Sequence, residues 1–157
     1  MSSEEIERKF LVNGDAYRNE AFKQEVILQG FLSSVPERTV RVRTVDNLGW
    51  ITVKGIGNAS GTTRFEWEKE ISGTEAKDLL ELCEPGRIEK TRYYVKSGEH
   101  TFEVDEFQGE NQGLVIAEIE LDAETEAFEH PKWLGEEVTG QIKFYNASLS
   151  KLPFSKW

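Results

Sequence analysis

The sequence predicts a mainly β, α+β fold in which eight antiparallel strands close into a barrel, with helices packed outside. Three observations predict it. Apolar and polar residues alternate with a period of two in eight segments of the 157-residue chain. Turn-forming residues at 46–49 and 97–99 separate successive segments, as in antiparallel hairpins. Charged residues recur in pairs on one face of nearly every segment, and eight strands are enough to close a barrel.

The composition indicates one domain over residues 1–157 and excludes several functions. The net charge is -10, from 19 Lys and Arg against 29 Asp and Glu, which argues against binding nucleic acid or an anionic membrane surface. Mean hydropathy is -0.54, so we expect no transmembrane segment. The charged start of the chain predicts no signal peptide, and the single cysteine, Cys83, excludes an internal disulfide. A cytoplasmic location is therefore expected.

The strand and helix patterns follow one another along the chain without a linker. The alternating segments predict strands over 4–11, 25–34, 38–45, 49–56, 63–71, 87–96, 100–107 and 114–121. Capping residues, apolar stripes and proline stops predict helices over 14–23, 72–83, 122–130 and 141–152.

The first segment, 3–10, has two local interpretations. Ser2 and Glu5 have the spacing of a helical capping box, so local rules favour a helix. A strand would instead place Glu5, Glu7 and Lys9 on one face. Because the other strands also carry charges two residues apart, the strand is the better prediction.

The charges are sorted by sign from strand to strand. Any single strand is explained by a half-buried sheet whose outer face meets solvent. Sorting by sign favours charged faces that point into the barrel, because like charges two apart repel unless opposite charges lie between them. Carboxylate pairs suit a divalent cation, and Arg and Lys pairs suit phosphate oxygens. The pairs are Arg41/Arg43, Lys90/Arg92, Glu5/Glu7 and Glu118/Glu120.

An ordered set of motifs gives the chain a family resemblance. The "EIERK" stretch resembles the ExExK signature of the CYTH superfamily, the triphosphate tunnel metalloenzymes, and further motifs follow in order over almost the whole chain. They are "RVR" (41–43), "TVK" (52–54), "RFEWE" (64–68), "EKTRY" (89–93), "FEVDEF" (102–107), "AEIEL" (117–121) and "WLGEEVT" (133–139). The resemblance, which is to the bacterial inorganic triphosphatase-like members, implies an eight-stranded barrel around a charged tunnel. It also implies a C-terminal plug helix at one end.

The resemblance also implies a role for each matching residue. The metal ligands, for Mg²⁺ or Mn²⁺, would be Glu5, Glu7, Glu118 and Glu120. The substrate-binding residues would be Lys9, Arg41, Arg43, Lys54, Arg64, Glu66, Lys90 and Arg92, with Lys143 as the basic residue of the plug. The catalytic residues would be Lys90, Glu68 and Asp105. One departure concerns the plug, since the family's Tyr-x-Asn is replaced by Phe144-Tyr145-Asn146.

The expected function is metal-dependent hydrolysis of inorganic tripolyphosphate to pyrophosphate and phosphate. A nucleoside or thiamine triphosphatase remains an alternative because Trp50 and Trp67 could contact an organic group. An adenylate cyclase of the same family is disfavoured because no His-Phe pair precedes Glu5. A non-catalytic polyphosphate-binding module is disfavoured by the intact carboxylate pairs. The expected partner is a triphosphate, and a homodimer is possible.

Overall fold

The computed structural model of the protein describes residues 4–157. The strands in these residues are β1 Glu4–Val12, β2 Ala21–Ser33, β3 Arg38–Val45, β4 Leu48–Gly55, β5 Thr63–Ser72, β6 Ile88–Ser97, β7 His100–Phe107, β8 Val115–Glu120 and β9 Leu134–Glu137. The α-helices are α1 Tyr17–Glu20, α2 Gly73–Leu80 and α3 Asn146–Leu149. Single 3-10 turns lie at Gly109–Asn111, Ile142–Phe144 and Phe154–Lys156.

Eight of these strands close into an antiparallel barrel, which confirms the predicted fold class. The order around the sheet is β5-β4-β3-β2-β6-β7-β8-β1, and β5 returns to pair with the start of β1, where Arg64 lies opposite Glu5. The ninth strand, β9, pairs with the end of β1 beside β5. It was not predicted, because four residues with a single neighbouring strand leave little alternation to detect.

The strand prediction for the first segment is confirmed over Glu4–Val12, and the helical alternative is wrong there. Pairing with β8 places Glu7 opposite Glu120 and Lys9 opposite Glu118. Ser2 of the proposed capping box lies outside the described residues.

One predicted helix is confirmed and three are not. Helix α2 begins after Ser72, whose hydroxyl accepts a hydrogen bond from the Glu75 backbone N–H at 3.0 Å, while the Glu75 carboxylate accepts one from the Ser72 N–H at 3.1 Å. The predicted helix 14–23 is reduced to α1, because residues from Ala21 onward pair with β6. No helix forms over 122–130, and 141–152 is broken into a 3-10 turn and α3.

The last two segments follow the barrel surface, since packing decides their conformation. In 122–130, Phe128 packs edge-to-face against Phe10 and Phe102. In the C-terminal segment, Phe144 and Leu149 are buried in an apolar cluster that closes one end of the barrel. In 122–130, burial of the Phe128 ring takes the place of helical hydrogen bonds.

The barrel is inverted, with apolar residues facing outward and charges facing the lumen. The outward apolar faces lie beneath the 122–133 segment and beneath α2, while the C-terminal segment packs on an apolar cluster at one end of the barrel. On the outer face of β5, Phe65 and Trp67 remain about half exposed. The helices of the described residues are all too short or too polar to cross a membrane.

A close contact between α2 and β4 gives a stability prediction. A Cβ at Gly49 would lie 2.4 Å from the Cβ of Ala76, so Gly49→Ala should lower the free energy of unfolding by about 1–3 kcal/mol through overpacking. Gly55→Ala in the same strand is the control, since its Cβ would meet nothing nearer than Phe65 Cβ at 3.4 Å. Urea denaturation measures both, and equal losses would contradict the packing argument.

Candidate functional site

The inward-facing side chains enclose a cavity of about 460 Å³. Its wall includes every predicted site residue except Asp105 and Lys143: Glu5, Glu7, Lys9, Arg41, Arg43, Lys54, Arg64, Glu66, Glu68, Lys90, Arg92, Glu118 and Glu120. Because the charges two apart on each strand share a face, barrel closure brings them to one lumen.

The cationic wall offers unsatisfied donors. Arg41 and Arg43 share one carboxylate, that of Glu68, at 3.7 Å and 3.5 Å, and Thr52 donates a hydrogen bond to the same group at 2.7 Å. The Nε atoms of both arginines are buried and lack a partner among residues 4–157. Burial, followed by the charges of Arg43 and Arg92, lowers the pKa of Arg41 to about 10. This wall therefore lacks negative charge, and Glu68 orients its two guanidinium groups.

Lys90 and Arg92 are anchored from behind by Asp105. The carboxylate of Asp105 accepts hydrogen bonds from Arg92 Nε and Nη2 at 2.8 Å and 3.0 Å, and Lys90 Nζ lies 2.9 Å away. Burial opposes ionisation, but the charges of Arg92 and Lys90 hold the pKa of Asp105 below its usual value. The side chain is 2% exposed and does not border the cavity. The structure thus places this predicted catalytic residue as an anchor for two cations.

The carboxylate wall is only partly compensated. Lys54 Nζ donates to Glu5 at 2.8 Å, and Glu118 lies 3.6 Å from Lys9 and 3.7 Å from Arg92. Within residues 4–157, no cation lies within 4.0 Å of Glu7 or Glu120, which face each other across β1 and β8. Two facing carboxylates without a counter-ion are a donor set that suits a hard divalent cation.

The pKa values follow from this charge distribution. Burial, then the charges of Glu118 and Glu5, raise the pKa of Glu7 to about 8. Burial would also raise the pKa of Glu118, but Lys9 and Arg92 hold it well below its usual value. Burial and the neighbouring Glu5 raise the pKa of Glu66 to about 7. The acidic wall therefore has more carboxyl groups than its neighbouring cations can keep ionised near neutral pH.

The carboxylates do not by themselves form a finished metal site. Across the described chain, no three acidic, histidine or cysteine side chains already converge as ligands on one point. This fits a Mg²⁺-type site, which usually takes one or two carboxylates together with waters and the phosphate oxygens of the substrate. Glu7 and Glu120 fit that role, with Glu5 and Glu118 beside them.

The end of the cavity is closed by residues other than the predicted Lys143. Lys143 is exposed, and its Nζ lies 4.4 Å from the centre of the Trp157 ring outside the cavity. The aromatic rings of the C-terminal segment hold it there by cation–π attraction. Tyr145 takes the inward position instead, with its ring 4.8 Å from Lys9 Nζ and 5.5 Å from the Arg64 guanidinium. The predicted plug by Lys143 is not formed.

Several residues of the cavity were not among the predicted site residues. Among them are Tyr145, Asn146, Ser148, Glu103, Thr52 and most of the loop 57–61. Glu103 was detectable, because it alternates with Asp105 on β7. The loop was not, since its position depends on close packing of Gly61 against Gly140, where an added Cβ would lie 2.4 Å from a backbone atom.

The fold and the site define a class of protein: closed antiparallel barrels whose lumen carries cations on one wall and carboxylates on the other. The profile of the CYTH domain matches residues 3–153 of this chain. The chain belongs to the CYTH domain family.

Two curated relatives match this chain over nearly their whole length. An inorganic triphosphatase of Acetivibrio thermocellus is 47% identical over 154 residues, covering 98% of this chain and 97% of its own. An inorganic triphosphatase of Nitrosomonas europaea is 34% identical over 150 residues, covering 93% and 96%. A crystal structure of an inorganic triphosphatase superposes with a TM-score of 0.66 at 32% identity, covering 92% of this chain and 96% of that one.

The anchoring role of Asp105 predicts a pH-dependent loss of stability. Asp105→Asn leaves two buried cations underneutralised and should lower the free energy of unfolding by about 3–5 kcal/mol near pH 7. The folded-state pKa of Asp105 lies below the unfolded value of about 3.9. Its contribution is therefore present above that unfolded value and is lost as the pH falls through the folded pKa.

Denaturation at pH 7 and at pH 3 measures this effect. The difference between wild type and Asp105→Asn should narrow at the lower pH. The control is Glu103→Gln, which removes a 37% exposed partner of Arg92 and should cost less than about 1 kcal/mol. A difference that is constant with pH would contradict the ion-pair explanation.

Proposed function

We propose that this protein is a metal-dependent triphosphatase that hydrolyses inorganic tripolyphosphate to pyrophosphate and phosphate inside the barrel. One observation carries the proposal: a single cavity holds buried guanidinium donors without partners and, on another wall, facing carboxylates without a counter-ion. A polyanion together with a divalent cation satisfies both walls at once. The names of the two relatives, both inorganic triphosphatases, support the same substrate.

The cationic residues bind the phosphoryl groups. Arg41 and Arg43 border the cavity and offer guanidinium donors to phosphoryl oxygens, and Arg92, Lys9 and Lys54 add charge along the wall. Fixed cations in a partly closed cavity also stabilise the negative charge that shifts to the leaving group in the transition state. Hydrolysis needs no protein nucleophile with this arrangement.

The carboxylates Glu7 and Glu120, assisted by Glu5 and Glu118, are proposed to hold Mg²⁺ or Mn²⁺. A bound ion of this kind neutralises phosphate charge and helps to activate water. In its absence, Glu7 keeps its proton up to about pH 8, the value to which burial and the charges of Glu118 and Glu5 raise its pKa.

Lys90 is proposed to orient the attacking water and to accept its proton. Its Nζ is held by Asp105 and Asn146, each at 2.9 Å. Burial is the largest influence on the pKa of Lys90 and, despite the opposing charge of Asp105, lowers it to about 8. A fraction of the enzyme therefore carries a neutral amine near physiological pH, as proton transfer requires.

A substrate comparison tests the reaction. With Mg²⁺ or Mn²⁺, tripolyphosphate should release phosphate faster than ATP or thiamine triphosphate, because the cavity is lined by charge and Trp50 already packs against Arg43 at 5.5 Å. The measurement is phosphate release for each substrate, with cyclic AMP assayed in the ATP reaction. Cyclic AMP as the main product would identify a cyclase, and tight binding without any turnover would identify a binding module.

The metal ligands are tested by Glu7→Gln. This variant should reduce turnover by more than the roughly 10–100-fold that loss of an outer partner of a metal costs. Mn²⁺ binding, followed by calorimetry, should weaken in parallel. Glu137→Gln is the matched control, since Glu137 pairs with Arg8 outside the cavity and should leave turnover unchanged. Normal Mn²⁺ affinity in Glu7→Gln would remove Glu7 from the site.

A further inference from the structure

The carboxamide of Asn146 is held in one orientation by two donors. Lys90 Nζ lies 2.9 Å from Asn146 Oδ1, and Gln29 Nε2 lies 2.8 Å from the same oxygen. An ammonium group can only donate hydrogen bonds, so the end of the carboxamide that faces Lys90 must be its oxygen. The orientation of Asn146 therefore follows from the chemistry of its partners.

This orientation turns the amide nitrogen of Asn146 away from the barrel wall. The residue is half-buried and borders the cavity, and its Nδ2 donates to no other group in residues 4–157. With the oxygen occupied on both sides, the two N–H bonds are the polar groups that remain for a ligand. The C-terminal segment thus presents a neutral donor beside the cations of the lumen.

Gln29 supplies a second, independent observation. It is completely buried, yet its Oε1 has no hydrogen-bond partner in the part of the chain that the structure describes. A buried acceptor without a partner destabilises the fold. Rotating the Gln29 amide would place Oε1 against Asn146 Oδ1, two acceptors face to face, and would leave Asn146 with one donor. The Oε1 atom of Gln29 is therefore left without a hydrogen bond, while its Nε2 holds the Asn146 carboxamide in one orientation.

We propose that Asn146 is a substrate-binding residue whose Nδ2 donates a hydrogen bond to a phosphoryl oxygen at the Lys90 end of the cavity, with Gln29 as its positioning residue. This inference rests on the proposed function, in that it assigns tripolyphosphate to the cavity. The C-terminal segment then contributes a binding group to the site in addition to closing the barrel. The same Asn146 oxygen fixes Lys90, so substrate contact and Lys90 geometry are coupled through one side chain.

A pair of variants separates binding from simple structural support. N146D keeps oxygen acceptors for Lys90 and Gln29 but removes the donor and adds a negative charge. S148D adds the same charge at Ser148, which borders the cavity from the same segment. Affinity for tripolyphosphate is measured by calorimetry in EDTA, so that metal binding plays no part.

N146D should weaken tripolyphosphate binding at least about tenfold more than S148D, as expected for a lost hydrogen bond to a charged group. Its melting temperature should not fall below that of S148D, because the contacts to Lys90 and Gln29 remain. Equal losses of affinity in the two variants would show that only charge repulsion acts, and would overturn the proposal.

Nuclear magnetic resonance gives a direct readout in the wild-type protein. The side-chain amide signal of Asn146, assigned by its absence in N146D, should shift when tripolyphosphate is added in EDTA. The control is the amide of Asn111, which is outside the cavity and accepts a hydrogen bond from the Phe154 backbone N–H at 2.8 Å. Q29L should diminish the Asn146 shift, because the amide loses one of its two restraints. A shift no larger than that of Asn111 would overturn the proposal.

The outcomes also separate this inference from the proposed function. Wild-type protein that hydrolyses tripolyphosphate, with N146D equal to S148D, would overturn only the role of Asn146. Wild-type protein that binds tripolyphosphate with the expected Asn146 shift, without turnover, would support Asn146 and overturn the triphosphatase. Wild-type protein that does not bind tripolyphosphate either in EDTA or with Mg²⁺ would overturn both.

Discussion

The structure depends on one ion-pair arrangement: Asp105, buried in the barrel wall, holding Lys90 and Arg92 at hydrogen-bond distance. A barrel whose charges face inward loses several kcal/mol for each ion that is removed from water without compensation. Asp105 offsets this cost for Lys90, the most deeply buried cation of the described residues, and for Arg92. It also fixes their positions, so that their remaining donors face the lumen. Stability and site geometry therefore have the same origin.

Elsewhere in the lumen, neighbouring side chains neutralise the charges only in part. Glu68 serves both Arg41 and Arg43, which leaves their Nε atoms free, while Glu7 and Glu120 have no cation within 4.0 Å in the described residues. The two walls neutralise each other only in part, because Lys54 pairs with Glu5, and Lys9 and Arg92 with Glu118, while Glu7 and Glu120 have no such partner in the described residues. An anionic ligand with a divalent cation completes both, and the free energy of binding then adds to that of folding. The residual charge imbalance is thus the physical basis of the proposed affinity.

The sequence was most informative where periodicity and charge agreed. The strand Glu4–Val12 was predicted against local helix signals, because Glu5, Glu7 and Lys9 need the same inward face that the other strands supply. Thirteen of the predicted site residues meet in one cavity for that reason. The fold of the barrel is fixed by a repeated two-residue pattern, which a single sequence displays in full.

The sequence was least informative where tertiary packing decides the outcome. The segment 122–130 has helical composition, but Phe128 gains more by packing on Phe10 and Phe102 than a short helix would provide. Lys143 was predicted to enter the tunnel, yet the rings of Phe144 and Trp157 hold it outside. The local sequence pattern does not predict which face of such a segment packs against the barrel.

The C-terminal segment both closes the barrel end and contacts the cations of the lumen. Its apolar residues Phe144 and Leu149 seal the barrel end, which brings Tyr145 and Asn146 against the cations of the lumen. A basic residue at this position would add repulsion to a wall in which Arg41 and Arg43 already share one carboxylate. An aromatic ring and a carboxamide instead contact cations through their negative faces and oxygens. Electrostatics thus favours the neutral pair of Tyr145 and Asn146 at the closed end.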